Sequence, residues 1–508
     1  MIGATCVSRW RKKMNSGIKK TAQIYPDRIA IIDGDKHLTY EQLDLLIDGM
    51  TATLSRYGIG RGDRVAVLSE NSYLFAGLLF AAQCLGFILV PLHRRRTWEQ
   101  WQNQLESVSC KLILADDEGE QLIRPSQFRI INLTALEKEA QKCPGQVSRS
   151  ENSDEGDAII IFTSGSTGNP RAVRLNWRNI ETNADGLNKF FPLTENDIWL
   201  APLPFYHIGG LSILYRMATC GGTAIVIRRF NSEEILEIIN RRLSDDRSRM
   251  RYIISVVPLM LSQMIQHDTD NILKNMGAII LGGSKWDNNL VREIRSRHLP
   301  VLTTYGMTET ASMITLLNPQ DRWDRLDTSG QVLPGREVRI VDEEGLLLAP
   351  DQKGRIQVRG PVLFPGYWEE EVGPFDAECW FDTGDLGYLT DDNYLVVTGR
   401  RDQVIVSGGE NIDLVQIEKA LQSLSYIKGA IVVPRPDRIW GQRPIAFVET
   451  GSEGGSETQI REDLSHRLDR IATPDRIIVV EKLPLTSLGK YDRPALLKEY
   501  ERILRETI

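Results

Sequence analysis

The chain is poor in cysteine. Its 508 residues hold six, Cys6, Cys84, Cys110, Cys143, Cys220 and Cys379, with no CxxC and no Cys/His spacing suited to a metal. That argues against structural zinc and a disulfide framework, and predicts reduced thiols, most of them packed inside. A surplus of positive charge is also missing. With 61 Lys and Arg against 68 Asp and Glu, the net charge is −7, which excludes a globally basic nucleic-acid binder but not a local basic pocket. Internal repeats and long low-complexity tracts are absent. The N-terminus has no apolar signal core. Its basic residues, Arg9 to Lys20, meet no acid before Asp27, which faintly resembles an organelle transit peptide and equally suits the exposed face of a first helix. The one long apolar run, LFAGLLFAAQCLGFILVPL (74–92), approaches the roughly 20 residues a membrane span needs. Gln83 and Gly86 interrupt it and FILVP favours a strand, so it predicts a buried helix, a glycine stop and a buried strand. The expectation is a cytoplasmic protein with no membrane span.

What is present alternates. Amphipathic stretches such as TYEQLDLLIDGMTATLSRYG (39–58) precede short apolar runs such as RVAVLS (64–69), KLILAD (111–116) and GAIILGG (277–283). That texture predicts α/β layers around buried, mostly parallel sheets. After about residue 330 it gives way to short strands with acidic or glycine turns, a β-rich subdomain. From about 401 a compact α+β unit follows. The expected division is 1–400 and 401–508.

Residues 163–175, TSGSTGNPRAVRL, follow the apolar run AIIIF (158–162). Small hydroxylated residues and glycines after a strand suit polyphosphate, because backbone N–H groups turn toward an anion and hydroxyls add donors. The Walker A pattern fails, since its Gly-Lys-Ser/Thr position falls on Pro170 or Val173, and G-x-G-x-x-G is absent. On the loop alone, an ordinary hairpin connection stays open.

Further motifs follow in order: LPFYHIGG (203–210), LGGS (281–284), TTYGMTET (303–310), WFDTGDLG (380–387), TGRRDQVIVSGGENI (398–412) and PLTSLGKYDRPAL (483–495). Together with the loop they resemble the adenylate-forming superfamily of acyl- and aryl-CoA ligases, luciferases and peptide-synthetase adenylation domains. The resemblance implies ATP, Mg²⁺ and coenzyme A as cofactors. A carboxylate attacks the α-phosphorus of ATP, and a thiol then takes the acyl group. Thr163, Ser164, Gly165, Ser166, Thr167 and Gly168 match the phosphate loop. Gly282, Gly283 and Ser284 match the adenine turn, with Tyr305 and Gly306 beside it. Thr308 matches a phosphate contact and Glu309 the Mg²⁺-linked carboxylate. Asp385 and Arg400 match the ribose pair, Asp402 the hinge of a mobile C-terminal domain, and Lys490 the catalytic lysine. Gly408 and Gly409 match a thiol tunnel, and Trp440 and Arg95 match contacts to coenzyme A. Where the family commonly has a lysine and a glycine after the loop proline, this chain has Arg171 and Ala172.

FYHIGGLSILYR (205–216), TTYGMTETAS (303–312), LPGREVRIV (333–341) and WGQRPIAFVE (440–449) narrow the resemblance to o-succinylbenzoate–CoA ligases of menaquinone and phylloquinone synthesis. That implies an aromatic dicarboxylic acid as partner, no nucleic acid, and an open question of homo-oligomer. His207 is expected as an aromatic wall of the acyl pocket. A base is not needed, because a carboxylate is already ionised at neutral pH. Gly209, Arg216 and Ser312 are expected to meet the substrate, with Arg216 as the cation for its second carboxylate or, alternatively, a snorkelling core-edge arginine. Alternatives are an aryl or medium-chain acyl-CoA ligase and, more remotely, a non-catalytic nucleotide-binding relative.

Overall fold

A computed structural model describes residues 18–123, 127–143, 156–163, 171–245, 250–283, 288–368, 370, 373–407, 410–437, 440–451, 454–465, 467–468, 472–486 and 491–500. Two large sheets form the N-terminal part. One runs, edge to edge, Arg129–Asn132, Leu112–Ala115, Arg64–Leu68, Ile88–Pro91, Asp157–Thr163 and Arg171–Asn176. All neighbours are parallel except the last pair, a hairpin. The other centres on the parallel strands Val301–Met307, Ala278–Leu281, Arg251–Val256, Asp197–Ala201, Thr223–Val226 and Ile29–Asp33, with antiparallel strands at its edges. Their apolar runs are buried on both faces, as parallel strands require.

The run 74–92 folds as its sequence predicts. Ser72 caps helix Tyr73–Leu85 by accepting the Phe75 N–H, and Gly86 ends it in the left-handed region at φ 80°. Strand Ile88–Pro91 follows, buried throughout. The helix touches Ile29–Asp33 of one sheet and Ile88–Pro91 of the other, so it is covered all round. Each of its buried Leu and Phe side chains contributes about 1.5–3 kcal/mol of transfer free energy. No helix among the described residues is long and apolar enough to cross a membrane.

Glu337–Val341, Gly354–Arg359, Phe381–Leu389 and Leu395–Arg400 form an antiparallel sheet, the β-rich part. A five-stranded sheet occupies 404–480, with apolar clusters on both faces, one around Ile417 and Leu421 and the other around Phe447 and Leu496. The expectation for cysteine needs one correction. Cys84, Cys110, Cys143 and Cys220 are free thiols, but Cys379 is disulfide-bonded. It lies half-buried in a tight turn at positive φ, with no CxxC spacing to signal a bridge.

Candidate active site

The segment TTYGMTETAS forms a hairpin between two sheet strands. Val301–Met307 enters a short 3-10 turn, Thr308–Thr310, and returns as Ser312–Leu316. Ala311 and Ser312 both lie at positive φ, 52° and 107°. Such backbone costs about 1–3 kcal/mol per residue and persists only where its surroundings dictate it. Here Asn183 Nδ2 donates to the carbonyls of Thr310 (3.1 Å) and Met313 (2.9 Å), bracketing the strained pair.

The turn buries Glu309. Burial pushes its carboxyl above the usual range, against the pull of the Tyr367 hydroxyl, Arg171 and Arg400. Tyr367 donates to Glu309 Oε1 at 3.1 Å, and the Arg171 guanidinium lies 3.3 Å from the Tyr367 ring centre while pairing with Glu370 at 2.9 Å. Arg171 therefore joins strand Arg171–Asn176 to the buried Glu309 through one aromatic ring. On the other side, the Tyr305 hydroxyl donates to Asp385 Oδ2. Asp385 and Arg400 are directly opposed in the antiparallel ladder, with Nη1 and Oδ1 3.4 Å apart. That register explains why TGD and GR, distant in sequence, belong together. Gly282 and Gly283 end strand Ala278–Leu281, next to the strand that carries Tyr305 and Gly306.

Glu309 suits a divalent cation. Tyr367 engages only Oε1, and among the described residues no group of three or more His, Cys, Asp or Glu gathers to ligate a metal. A lone buried carboxylate fits magnesium, which binds through one or two carboxylates and otherwise through phosphate oxygens and water.

A second group of candidate residues lies along helix Ile208–Cys220, whose N-cap is His207. Its start is held by Asn71, which accepts the Phe205 N–H at 2.7 Å and donates to the Leu203 carbonyl at 2.9 Å. Gly210 is required there, because a Cβ would meet the Leu203 oxygen at 2.4 Å. A Cβ on Gly209 would instead meet only Leu203 Cδ1, at 3.5 Å. Gly209, Ser212 and Arg216 follow the i, i+3, i+7 spacing of one helix face. Arg216 is fully buried. Its Nη2 donates to Asn183 Oδ1 (2.8 Å) and Ser312 Oγ (3.3 Å), while Nε and Nη1 have no acceptor. Burial pushes the guanidinium down to about 9, so it keeps its charge at neutral pH. Arg336, buried beside it, has an unpartnered Nε as well. Arg216 is therefore no snorkelling edge residue: its head lies in the interior, and Ser312 links it to the acidic turn.

The rings of His93, Tyr206 and His207 touch pairwise: 4.7 Å from His93 to Tyr206, 5.7 Å from His93 to His207, and 4.7 Å from Tyr206 to His207. His207 thus lies in an aromatic group, and Arg95 is exposed two residues beyond His93. Thr163 ends its strand opposite Arg171. Thr308 is half-buried in the 3-10 turn. Asp402 lies in the 3-10 turn Arg401–Gln403. Trp440 is exposed, with Arg443 over its ring at 5.7 Å, and Ser407 pairs with Gly441, so the strand leading to 408 runs beside it. Ser164, Gly165, Ser166, Thr167, Gly168, Ser284, Gly408, Gly409 and Lys490 lie outside the described residues.

Sequence reasoning missed Asn71, Asn183, Arg336 and Tyr367. Each acts through partners more than 20 positions away, and an isolated Asn or Tyr carries no motif. Arg336 did sit in the quoted LPGREVRIV.

A two-sheet α/β body carries a buried carboxylate, Glu309, and an opposed Asp385–Arg400 pair. A family model described as AMP-binding enzyme matches residues 18–368, and one described as AMP-binding enzyme C-terminal domain matches 416–490. The chain belongs to the AMP-binding enzyme family. It is 31% identical to a 2-succinylbenzoate–CoA ligase of Bacillus licheniformis over 94% of this chain and 98% of that one. It is 30% identical to one of Listeria monocytogenes, covering 96% and 100%. The structure resembles o-succinylbenzoate CoA synthetase from Bacillus subtilis in complex with its acyl-adenylate intermediate, with a TM-score of 0.85 at 29% identity over 96% and 98% of the two chains. For the complex of that enzyme with ATP and magnesium ion, the TM-score is 0.82 at 29% identity over 93% and 97%. The fold is accordingly a large N-terminal α/β domain followed by a small C-terminal one.

Proposed function

We propose that the chain is an ATP-dependent o-succinylbenzoate–CoA ligase of menaquinone or phylloquinone synthesis. The observation that carries the choice of acid is Arg216. A buried cation with two idle donors, on one helix stripe with the open position at Gly209, suits the second carboxylate of an aromatic dicarboxylic acid. His207 walls the ring, and Ser312 adds a hydroxyl.

A carboxylate oxygen of the acid attacks the α-phosphorus of ATP, and pyrophosphate leaves. The sulfur of coenzyme A then attacks the acyl carbonyl; AMP departs and the thiol loses its proton. Both steps crowd anions, so donors and cations matter more than a base. The loop 163–168 and Thr308 hold phosphate, Gly282 to Ser284 with Tyr305 and Gly306 hold adenine, and Asp385 with Arg400 holds the ribose. Glu309 would hold Mg²⁺, which when bound neutralises triphosphate charge. Residues 401–508 form the mobile unit, hinged at Asp402. It brings Lys490 to the first step and Gly408, Gly409 and Trp440 to the second, with Arg95 at the nucleotide end of coenzyme A. The reading carries a cytoplasmic location, small-molecule partners and no nucleic acid.

The test separates the half-reactions. With ATP, Mg²⁺ and o-succinylbenzoate, the protein is expected to release pyrophosphate and retain an acyl adenylate that added coenzyme A converts to thioester and AMP. Lys490→Ala is expected to lose the first step and keep the second from pre-made adenylate. Release of ADP and phosphate instead would overturn the reading.

A further inference from the structure

The turn HRRR (93–96) sends its side chains in different directions. Arg94 is committed to acids, at 3.2 Å from Glu70, 2.9 Å from Asp116 and 3.2 Å from Glu118. Arg95 points to solvent. His93 turns inward, onto Tyr206 and His207. The turn itself is built around His93. Its carbonyl accepts the Arg96 N–H at 3.2 Å and the Trp101 indole N–H at 2.9 Å. Its Nδ1 accepts the Arg95 N–H at 3.1 Å. An Nδ1 that accepts a backbone proton belongs to a neutral imidazole with its own proton on Nε2. Burial, with Arg96 and Arg95 nearby, holds His93 down at about 4, in keeping with that form.

One side chain therefore does two things. Its ring faces the aromatic group at the acyl pocket, and its Nδ1 fixes the backbone amide of the arginine expected to meet the thiol donor's phosphate. The Arg94 anchor keeps the turn from moving as a whole, so a shift at Arg95 passes through the Nδ1 contact into the ring.

We propose that His93 is a positioning residue that couples the phosphate-binding turn at Arg95 to the His207 wall, so that the nucleotide end of coenzyme A adjusts the acyl pocket. This rests on the functional reading above. Binding at two places joined by one rigid element is reciprocal: the nucleotide fragment changes the affinity for the acid, and the acid changes that for the fragment by the same factor.

The experiment measures the dissociation constant of o-succinylbenzoate by calorimetry, with and without saturating adenosine 3′,5′-bisphosphate, the nucleotide fragment of coenzyme A. Wild-type protein is expected to show a shift of about fivefold or more. Two variants divide the roles of His93. His93→Phe keeps a ring on Tyr206 and His207 but offers no acceptor to the Arg95 amide. It is expected to hold the acid within about twofold of wild type, lose the shift, and raise KM for coenzyme A. His93→Asn keeps an acceptor but loses the ring. It is expected to leave KM for coenzyme A near wild type, weaken the acid and lose the shift. A shift of the same size in both variants, or none in wild-type protein that turns over, would overturn the inference. A wild-type protein that forms no adenylate from o-succinylbenzoate would overturn the functional reading instead; the coupling is then measured with the acid it does activate.

Discussion

Replacing Arg216 with methionine probes the proposed acyl pocket most sharply, because stability and specificity should respond differently. Arg216 makes two hydrogen bonds and leaves Nε and Nη1 unmet. An unmet buried donor costs about 1–3 kcal/mol, so the two cost roughly 2–6 kcal/mol. The two bonds return about 1.5–3 kcal/mol each at best, being made by a charged donor. Arg216→Met keeps most of the stem's volume and removes the charge. The exchange removes the cost of the two unmet donors but deprives Asn183 Oδ1 and Ser312 Oγ of theirs, at about 1–3 kcal/mol each and less for the long 3.3 Å bond to Ser312, so the net is neutral or mildly stabilising. Thermal melting should therefore show a midpoint equal to wild type or a few degrees higher. Toward the dicarboxylic acid the effect reverses. A buried carboxylate that loses its cation costs about 3–5 kcal/mol, a fall of roughly 10²- to 10³-fold or more in kcat/KM. Benzoate, which has no second carboxylate, should lose almost nothing. The assay is pyrophosphate release with each acid in turn. Equal losses with both acids, or a midpoint several degrees lower, would refute the argument.

Other outcomes follow from the same geometry. Glu309→Gln should cut adenylation by about a hundredfold or more through loss of the carboxylate proposed to hold Mg²⁺, yet melt higher than wild type at neutral pH. The sign comes from burial, which raises the folded-state pKa of Glu309, so its ionised form is a penalty to folding. That penalty is full above the folded pKa and vanishes once pH falls below the unfolded value, so the gain should disappear in acid. Gly210→Ala should reduce both stability and turnover, because its methyl group meets the Leu203 and Pro204 carbonyls at 2.4 and 2.5 Å; a wild-type melting curve would contradict the Asn71-held turn. Burial pushes the Cys110 thiol up to about 11 and Cys220 to about 12. At pH 8, iodoacetamide should therefore label Cys110 about a hundredfold and Cys220 about a thousandfold more slowly than an ordinary thiol, as read by mass spectrometry of the peptides.

The layered α/β body was legible in sequence because apolar runs, helix caps and glycine stops act locally. Helix, Gly86 and strand in 74–92 are the clear case. The spatial order of the strands was not legible, since Thr223–Val226 lies between Asp197–Ala201 and Ile29–Asp33 through pairings no local pattern encodes. The motifs named candidates for a nucleotide site, and ladder register supplies the reason Asp385 lies beside Arg400. What sequence could not show is how the motifs lean on one another. Arg171 reads as a departure from a family lysine, and only the structure shows it stacked on Tyr367, which holds Glu309. His93 reads as one of four basic or imidazole residues in a row, yet it faces the opposite way from Arg95. Arg216 could have been an edge residue; full burial among Asn183, Ser312 and Trp199 decides otherwise.

The most direct measurement is ATP- and coenzyme A-dependent thioester formation by the wild-type chain across o-succinylbenzoate, benzoate, 4-coumarate, octanoate and acetate. The account predicts a kcat/KM for o-succinylbenzoate about a hundredfold or more above every monocarboxylate, the difference a buried cation makes to its second carboxylate. A monocarboxylate used as well as or better than o-succinylbenzoate would contradict it.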